Sequence, residues 1–201
     1  MTDSRVLAII PARGGSKGLR RKNLCPIAGK PMVAYSIEAA NHCSLVTRTM
    51  VTTDDEEIAD VARDYGADVP FMRPQELATD LTPTEPVLQH ALAYVETEER
   101  ERVDVVLFLQ PTDIFRRDGI LNKVIQPLLD NPALDTCFPV SRRTRTIGAR
   151  EKTECGSSWQ TILLMVHAKL VSTFIARTQV LRVPHGPTSF GPDGELVIGS
   201  R

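Results

Sequence analysis

Residues 8–23 read AIIPARGGSKGLRRKN and follow directly on Val6 and Leu7. The run Val6-Leu7-Ala8-Ile9-Ile10 is continuous rather than alternating, the pattern of a strand buried on both faces. It opens into a loop holding Gly14, Gly15 and Gly18 together with Arg13, Lys17, Arg20, Arg21 and Lys22. No acidic residue occurs from Arg5 to Pro31. Glycines let a backbone approach an anion closely, and consecutive N–H groups can line a concavity around it. Lysine and arginine add charge and donors. The loop therefore reads as an anion cradle, weighed against a surface loop whose charges are merely solvated. Its glycine spacing is neither that of a P-loop nor that of a dinucleotide-binding turn.

The flanking sequence supplies the fold. Pro31 stands where a helix can begin, and Val33, Ile37 and Ala40 carry helical spacing over residues 32–41. Residues 47–53, TRTMVTT, are β-branched and read as a second strand. A helix follows, with Asp54 and Glu57 as its N-terminal cap and Gly66 as its stop. Residues 67–71 read as a short third strand, and Val87 to Val95 mark another helix. Residues 103–109, VDVVLFL, are the most apolar strand and run into Gln110-Pro111-Thr112. A helix from Ile120 is expected to be kinked or shortened by Pro127, and 136–140 read as a fifth strand.

Alternating strands and helices predict an α/β fold of three layers, a mostly parallel sheet covered by helices. Ligands in such folds bind beyond the carboxyl ends of the strands. The basic loop, the Asp54-Asp55 pair and Gln110-Pro111-Thr112 all fall there. Past Ser141 the pattern is ambiguous. Residues 162–166 suit a strand or a helix, as do 171–175, whereas 184–194 are turn-rich and 196–198 suit a last strand. We expect one domain over residues 1–201.

Composition narrows the function. A net charge of -1 argues against a protein that coats nucleic acid or an acidic membrane. The four cysteines are widely spaced, so no zinc knuckle or redox dithiol is signalled. No signal-peptide pattern is visible and the longest apolar run of the second half is short, so a cytoplasmic protein with free thiols is expected. Asp54 and Asp55 suit either a magnesium ion or helix capping, and capping is the preferred reading. Arg73 before Pro74 reads equally as a phosphate or base contact and as a solvated loop residue. Gln110 has an amide placed to hydrogen-bond a substrate or to tie down its own loop. The four histidines have no ligand spacing, and no nucleophilic triad is apparent.

With these residues in view, 8–23, AGKPMVAYSIEAA at 28–40, TTDDEEIADVARDYGADVPFMRPQELATD at 52–80 and VDVVLFLQPT at 103–112 resemble the acylneuraminate cytidylyltransferase family, the CMP-sialic acid synthetases. The resemblance spans about residues 5–140. It implies a nucleotide-diphospho-sugar transferase, Rossmann-like fold. The implied reaction joins CTP to a nonulosonic acid, assisted by Mg²⁺, and releases pyrophosphate. By motif, Arg13, Gly14, Gly15, Ser16, Lys17, Lys22 and Asn23 would hold CTP, with Lys17 and Arg13 the catalytic candidates. Arg73 and Thr82 would complete the nucleotide site, and Thr84 and Gln110 would face the sugar. Family members form dimers, so a homodimer is expected, without nucleic-acid or membrane partners. Two departures stand out. Asp113-Ile114-Phe115-Arg116 replaces the family's Ser-Pro-Leu-Arg, and 142–201 show no Asp-x-Asp pair, so the metal ligands are not identified. A catalytically impaired or truncated nucleotide-binding relative is the alternative expectation.

Overall fold

The computed structural model describes residues 4–16, 18–141, 161–166, 178–183, 189–190 and 196–197. In chain order its elements are β1 (Val6–Pro11), β2 (Pro26–Ile27), β3 (Lys30–Pro31), α1 (Met32–Asn41), β4 (Arg48–Thr52), α2 (Glu56–Asp64), α3 (Thr84–Thr97), β5 (Val105–Leu109) and α4 (Ile120–Asp130). They are followed by β6 (Thr136–Ser141), β7 (Thr161–Val166), β8 (Thr178–Arg182), β9 (Ser189–Phe190) and β10 (Leu196–Val197). Short 3-10 turns occupy Lys22–Leu24 and Gln75–Leu77.

The apolar run that opens the chain becomes the centre of the sheet. β1 pairs in parallel with β4 on one side and β5 on the other. Its alternate residues feed two cores. Val6, Ala8 and Ile10 pack with Val33 and Ile37 of α1, Ile58 of α2 and Val124 of α4. Leu7 and Ile9 pack on the opposite face with Ala91 and Val95 of α3. Helices thus cover both faces, the expected three layers. Each such aliphatic side chain, at most 2% exposed along β1, contributes about 1.5–3 kcal/mol through burial.

The full sheet has the order β4-β1-β5-β8-β6-β7. β4, β1, β5 and β6 share one direction, while β8 and β7 run against them. The sheet is therefore mostly parallel in strand direction, with β8 inserted antiparallel between β5 and β6. The segment left open as strand or helix at 162–166 is a strand, β7.

Three local expectations are corrected. The cap of α2 is Asp55, not Asp54: its carboxylate accepts the N–H groups of Glu57 and Ile58 at 3.0 and 3.2 Å. The expected strand at 67–71 reduces to isolated parallel bridges, Met50 with Asp68 and Thr53 with Met72. Pro70 between them has no N–H to continue the ladder. α4 is not shortened at Pro127 but runs to Asp130: Arg182 of β8 donates to the Leu128 carbonyl, one that the helix end leaves open, and to the carbonyls of Asn131 and Leu134 just beyond the helix. The basic cluster at 142–152, the segment 171–175 and most of 184–194 lie outside the described residues.

Candidate functional site

β1 and β5 end side by side, and the chain leaves the sheet there through the basic loop and through Gln110. Between them and the start of α3 opens a cleft of about 400 Å³, a size that suits a small-molecule site. Arg13, Gly15, Ser16, Lys22, Asn23, Arg73, Thr82, Thr84 and Gln110 all line it. Phe108 and Val87 supply apolar surface. Residues up to 97 positions apart in sequence thus meet at one place. Lys17 lies outside the described residues.

Gly14 stands behind the lining rather than in it. Its N–H donates to Asp54 Oδ1 at 3.0 Å. A Cβ on Gly14 would meet Asp55 Oδ2 at 2.5 Å and Asp55 Cβ at 2.8 Å. The Asp54-Asp55 pair therefore anchors the basic loop with one carboxylate and caps α2 with the other. Arg21, in a left-handed conformation at φ 55°, adds ion pairs to Asp55 and Glu57. Asn23, only 6% exposed, donates its side-chain N–H to the Arg13 carbonyl at 2.9 Å. These contacts hold the loop in a set shape before any ligand arrives.

The cleft is positive. Arg73 is 6% exposed, and its guanidinium donates to the hydroxyl and the carbonyl of Thr52. Burial lowers its pKa to about 10, Asp54 partly offsets this, and Arg13 pushes it further down. It stays protonated at neutral pH, and a bound anion would restore the interaction that burial removed. The Lys22 side chain makes no hydrogen bond or ion pair among the described residues. α3 starts in the cleft with no side-chain cap, adding the partial positive charge of a helix N-terminus. Asp80, which sequence reasoning missed, is the one acidic lining residue among the described residues and pairs with Arg13 at 2.6 Å. Each partner is about one-third exposed, so the pair contributes roughly 0–1 kcal/mol.

Gln110 divides its two roles. Its carbonyl, not its amide, ties the loop, accepting from Ser36 Oγ at 3.1 Å, Arg116 Nη2 at 2.7 Å and Asp113 N at 3.1 Å. Its side chain lines the cleft and makes no hydrogen bond among the described residues. The Thr82 hydroxyl is already engaged with Thr79 and the Glu76 carbonyl. Among the described residues, no group of three or more His, Cys, Asp or Glu side chains is placed to hold a metal. Asp80 is paired, Asp54 faces Gly14 and Asp55 faces a helix end. This donor set does not fit a magnesium site built by the described residues. Nor is any helix among them long and apolar enough to cross a membrane.

A positive cleft beyond the carboxyl ends of parallel strands in an α/β sheet suits an anionic small molecule. The structure of CMP:2-keto-3-deoxy-manno-octonic acid synthetase complexed with CTP shares the fold at a TM-score of 0.58 and 22% identity, covering 89% of this chain and 74% of that one. A 4-diphosphocytidyl-2C-methyl-D-erythritol synthase does so at 0.54 and 16%, covering 82% and 75%. The chain belongs to the cytidylyltransferase family, whose model matches residues 7–155. It is 44% identical over 114 residues to the N-acylneuraminate cytidylyltransferase of Escherichia coli O18:K1:H7, covering 56% of this chain and 26% of that protein. It is 42% identical over 124 residues to the CMP-N,N'-diacetyllegionaminic acid synthase of Legionella pneumophila, covering 61% and 52%. To the pseudaminic acid cytidylyltransferase of Campylobacter jejuni it is 37% identical over 125 residues, covering 62% and 53%. The chain spans about half, or less, of the length of these curated relatives.

Proposed function

We propose that the cleft binds CTP and that the protein transfers CMP from it to the anomeric hydroxyl of a nonulosonic acid, releasing pyrophosphate. One observation carries this reading: Arg13, Lys22 and Arg73 converge in a single cleft with Gln110, whose amide has no hydrogen-bond partner among the described residues. The relatives, named for N-acylneuraminate, diacetyllegionaminic and pseudaminic acids, support this substrate class.

In the proposed reaction the sugar oxygen forms a bond to the α-phosphorus, its hydroxyl proton is released to solvent, and the bond from that phosphorus to the bridging oxygen of the β-phosphate breaks. Negative charge grows on the departing pyrophosphate, so fixed cations aimed at the phosphates supply most of the acceleration. Arg13 and Lys22 take that role from the loop, with Lys17 beside them in sequence. Arg73 is already desolvated, so its charge is weakly screened toward a ligand. Gln110, and Thr84 at the start of α3, are assigned to the acid sugar. Mg²⁺ would accompany the nucleotide. A homodimer and a cytoplasmic location belong to the same reading.

The test mixes purified protein with CTP, Mg²⁺ and a panel of sialic, legionaminic and pseudaminic acids, and follows pyrophosphate release. Release with at least one acid is expected. CTP binding without release from any acid would instead assign a nucleotide-binding relative that does not turn over.

A further inference from the structure

We infer that Arg116 is the positioning residue that aims the Gln110 amide into the cleft. The inference rests on the functional reading above only in assuming that this amide meets the sugar acid.

Arg116 lies in the loop between β5 and α4, with its side chain 6% exposed. Three of its nitrogens are committed to three different elements. Nη2 donates to the Gln110 carbonyl at 2.7 Å, Nη1 to Ser36 Oγ of α1 at 2.9 Å, and Nε to Thr178 Oγ1 of β8 at 3.3 Å. Asp113 stands 3.5 Å from Nε and accepts from the same Thr178 hydroxyl at 3.2 Å. Burial of the guanidinium is thus met by hydrogen bonds and one carboxylate. Ser36 Oγ reaches the same Gln110 carbonyl. The carbonyl is held by these donors, so the peptide plane is set, and Gln110 itself lines the cleft. Arg116 does not line the cleft itself. A lysine has no planar fork and can satisfy only part of this arrangement.

The test is a mutant cycle read with CTP saturating. Arg116→Met is expected to raise KM for the acid about tenfold, the loss of roughly one well-placed hydrogen bond, while the CTP Kd stays within about twofold. Gln110→Ala is expected to match it, and the double variant to be no worse than Gln110→Ala alone. Arg116→Lys should not rescue. Multiplicative losses in the double variant, or an unchanged KM in Arg116→Met, would overturn the inference. If Arg116→Met does not fold, Ser36→Ala removes another donor to the same carbonyl, and its KM effect should likewise vanish in the Gln110→Ala background. If no acid is turned over, the functional reading fails but this one is still decided. In ligand-free protein carrying isotope-labelled glutamine, the Gln110 amide resonances, identified by their loss in Gln110→Ala, should shift or broaden in Arg116→Met or Ser36→Ala. Unmoved resonances would refute the positioning role.

Discussion

Substituting Gly14 with alanine tests how the basic loop is seated. The new Cβ would lie 2.5 Å from Asp55 Oδ2, 2.8 Å from Asp55 Cβ and 3.1 Å from Asp55 Cγ. Rotating the carboxylate away relieves the first contact but removes the cap that Glu57 N and Ile58 N now share, a cost of about 1 kcal/mol. The Cβ-to-Cβ contact survives any rotation, so the loop must shift as well, at about 1–3 kcal/mol of packing strain. The expected loss is roughly 2–4 kcal/mol, measured by urea denaturation. The Asp55→Gly background removes every clashing atom and keeps a tolerated cap residue. There Gly14→Ala should be close to neutral, since no clashing atom remains and Gly14 is not among the positive-φ glycines. An equal cost in both backgrounds, or a near-neutral Gly14→Ala alone, would refute the argument.

Two further substitutions probe the same region. Asn23→Ala removes the donor to the Arg13 carbonyl; it should cost about 1 kcal/mol of stability and weaken CTP binding, as read by denaturation and calorimetry. His90 has a buried Nδ1 with no partner and packs edge-on against Phe71 at 4.8 Å. Burial, then Arg73, lowers its pKa below 6.5. In the window below that value the unfolded chain binds more protons than the folded one, so stability from neutral His90 is complete above pH 6.5 and is lost as pH falls through the folded pKa. His90→Phe should gain about 1 kcal/mol at pH 7 and lose less stability than wild type between pH 7 and 5. A parallel decline in melting temperature for both proteins would contradict this.

Much of this architecture is readable from local patterns. The continuous run from Val6 to Ile10 announces a two-faced strand, and the spacing of Val33, Ile37 and Ala40 announces α1 with its observed bounds. The sequence points to Asp54 as the cap of α2 where the structure uses Asp55, because the two differ only in backbone placement. The insertion of β8 between β5 and β6 depends on pairings more than 40 residues apart, which no local period encodes. The same holds for Asp80, whose partner Arg13 is distant in sequence. Arg116 was visible only as the last residue of a segment departing from the family pattern. Its three-way contact is a tertiary fact. That Arg13, Gly15, Ser16, Lys22 and Asn23 line one cleft is legible because a single basic loop carries them.

The most direct test of the account is calorimetric titration of CTP into wild type, Lys22→Ala and Arg73→Gln. Wild type should bind CTP, and each variant should bind at least about tenfold more weakly, as expected for losing a charged contact to the nucleotide. In Lys22→Ala the remaining affinity should also depend less on salt. Absence of CTP binding by wild type, or unchanged affinity in both variants, would contradict the claim that this cleft is a CTP site.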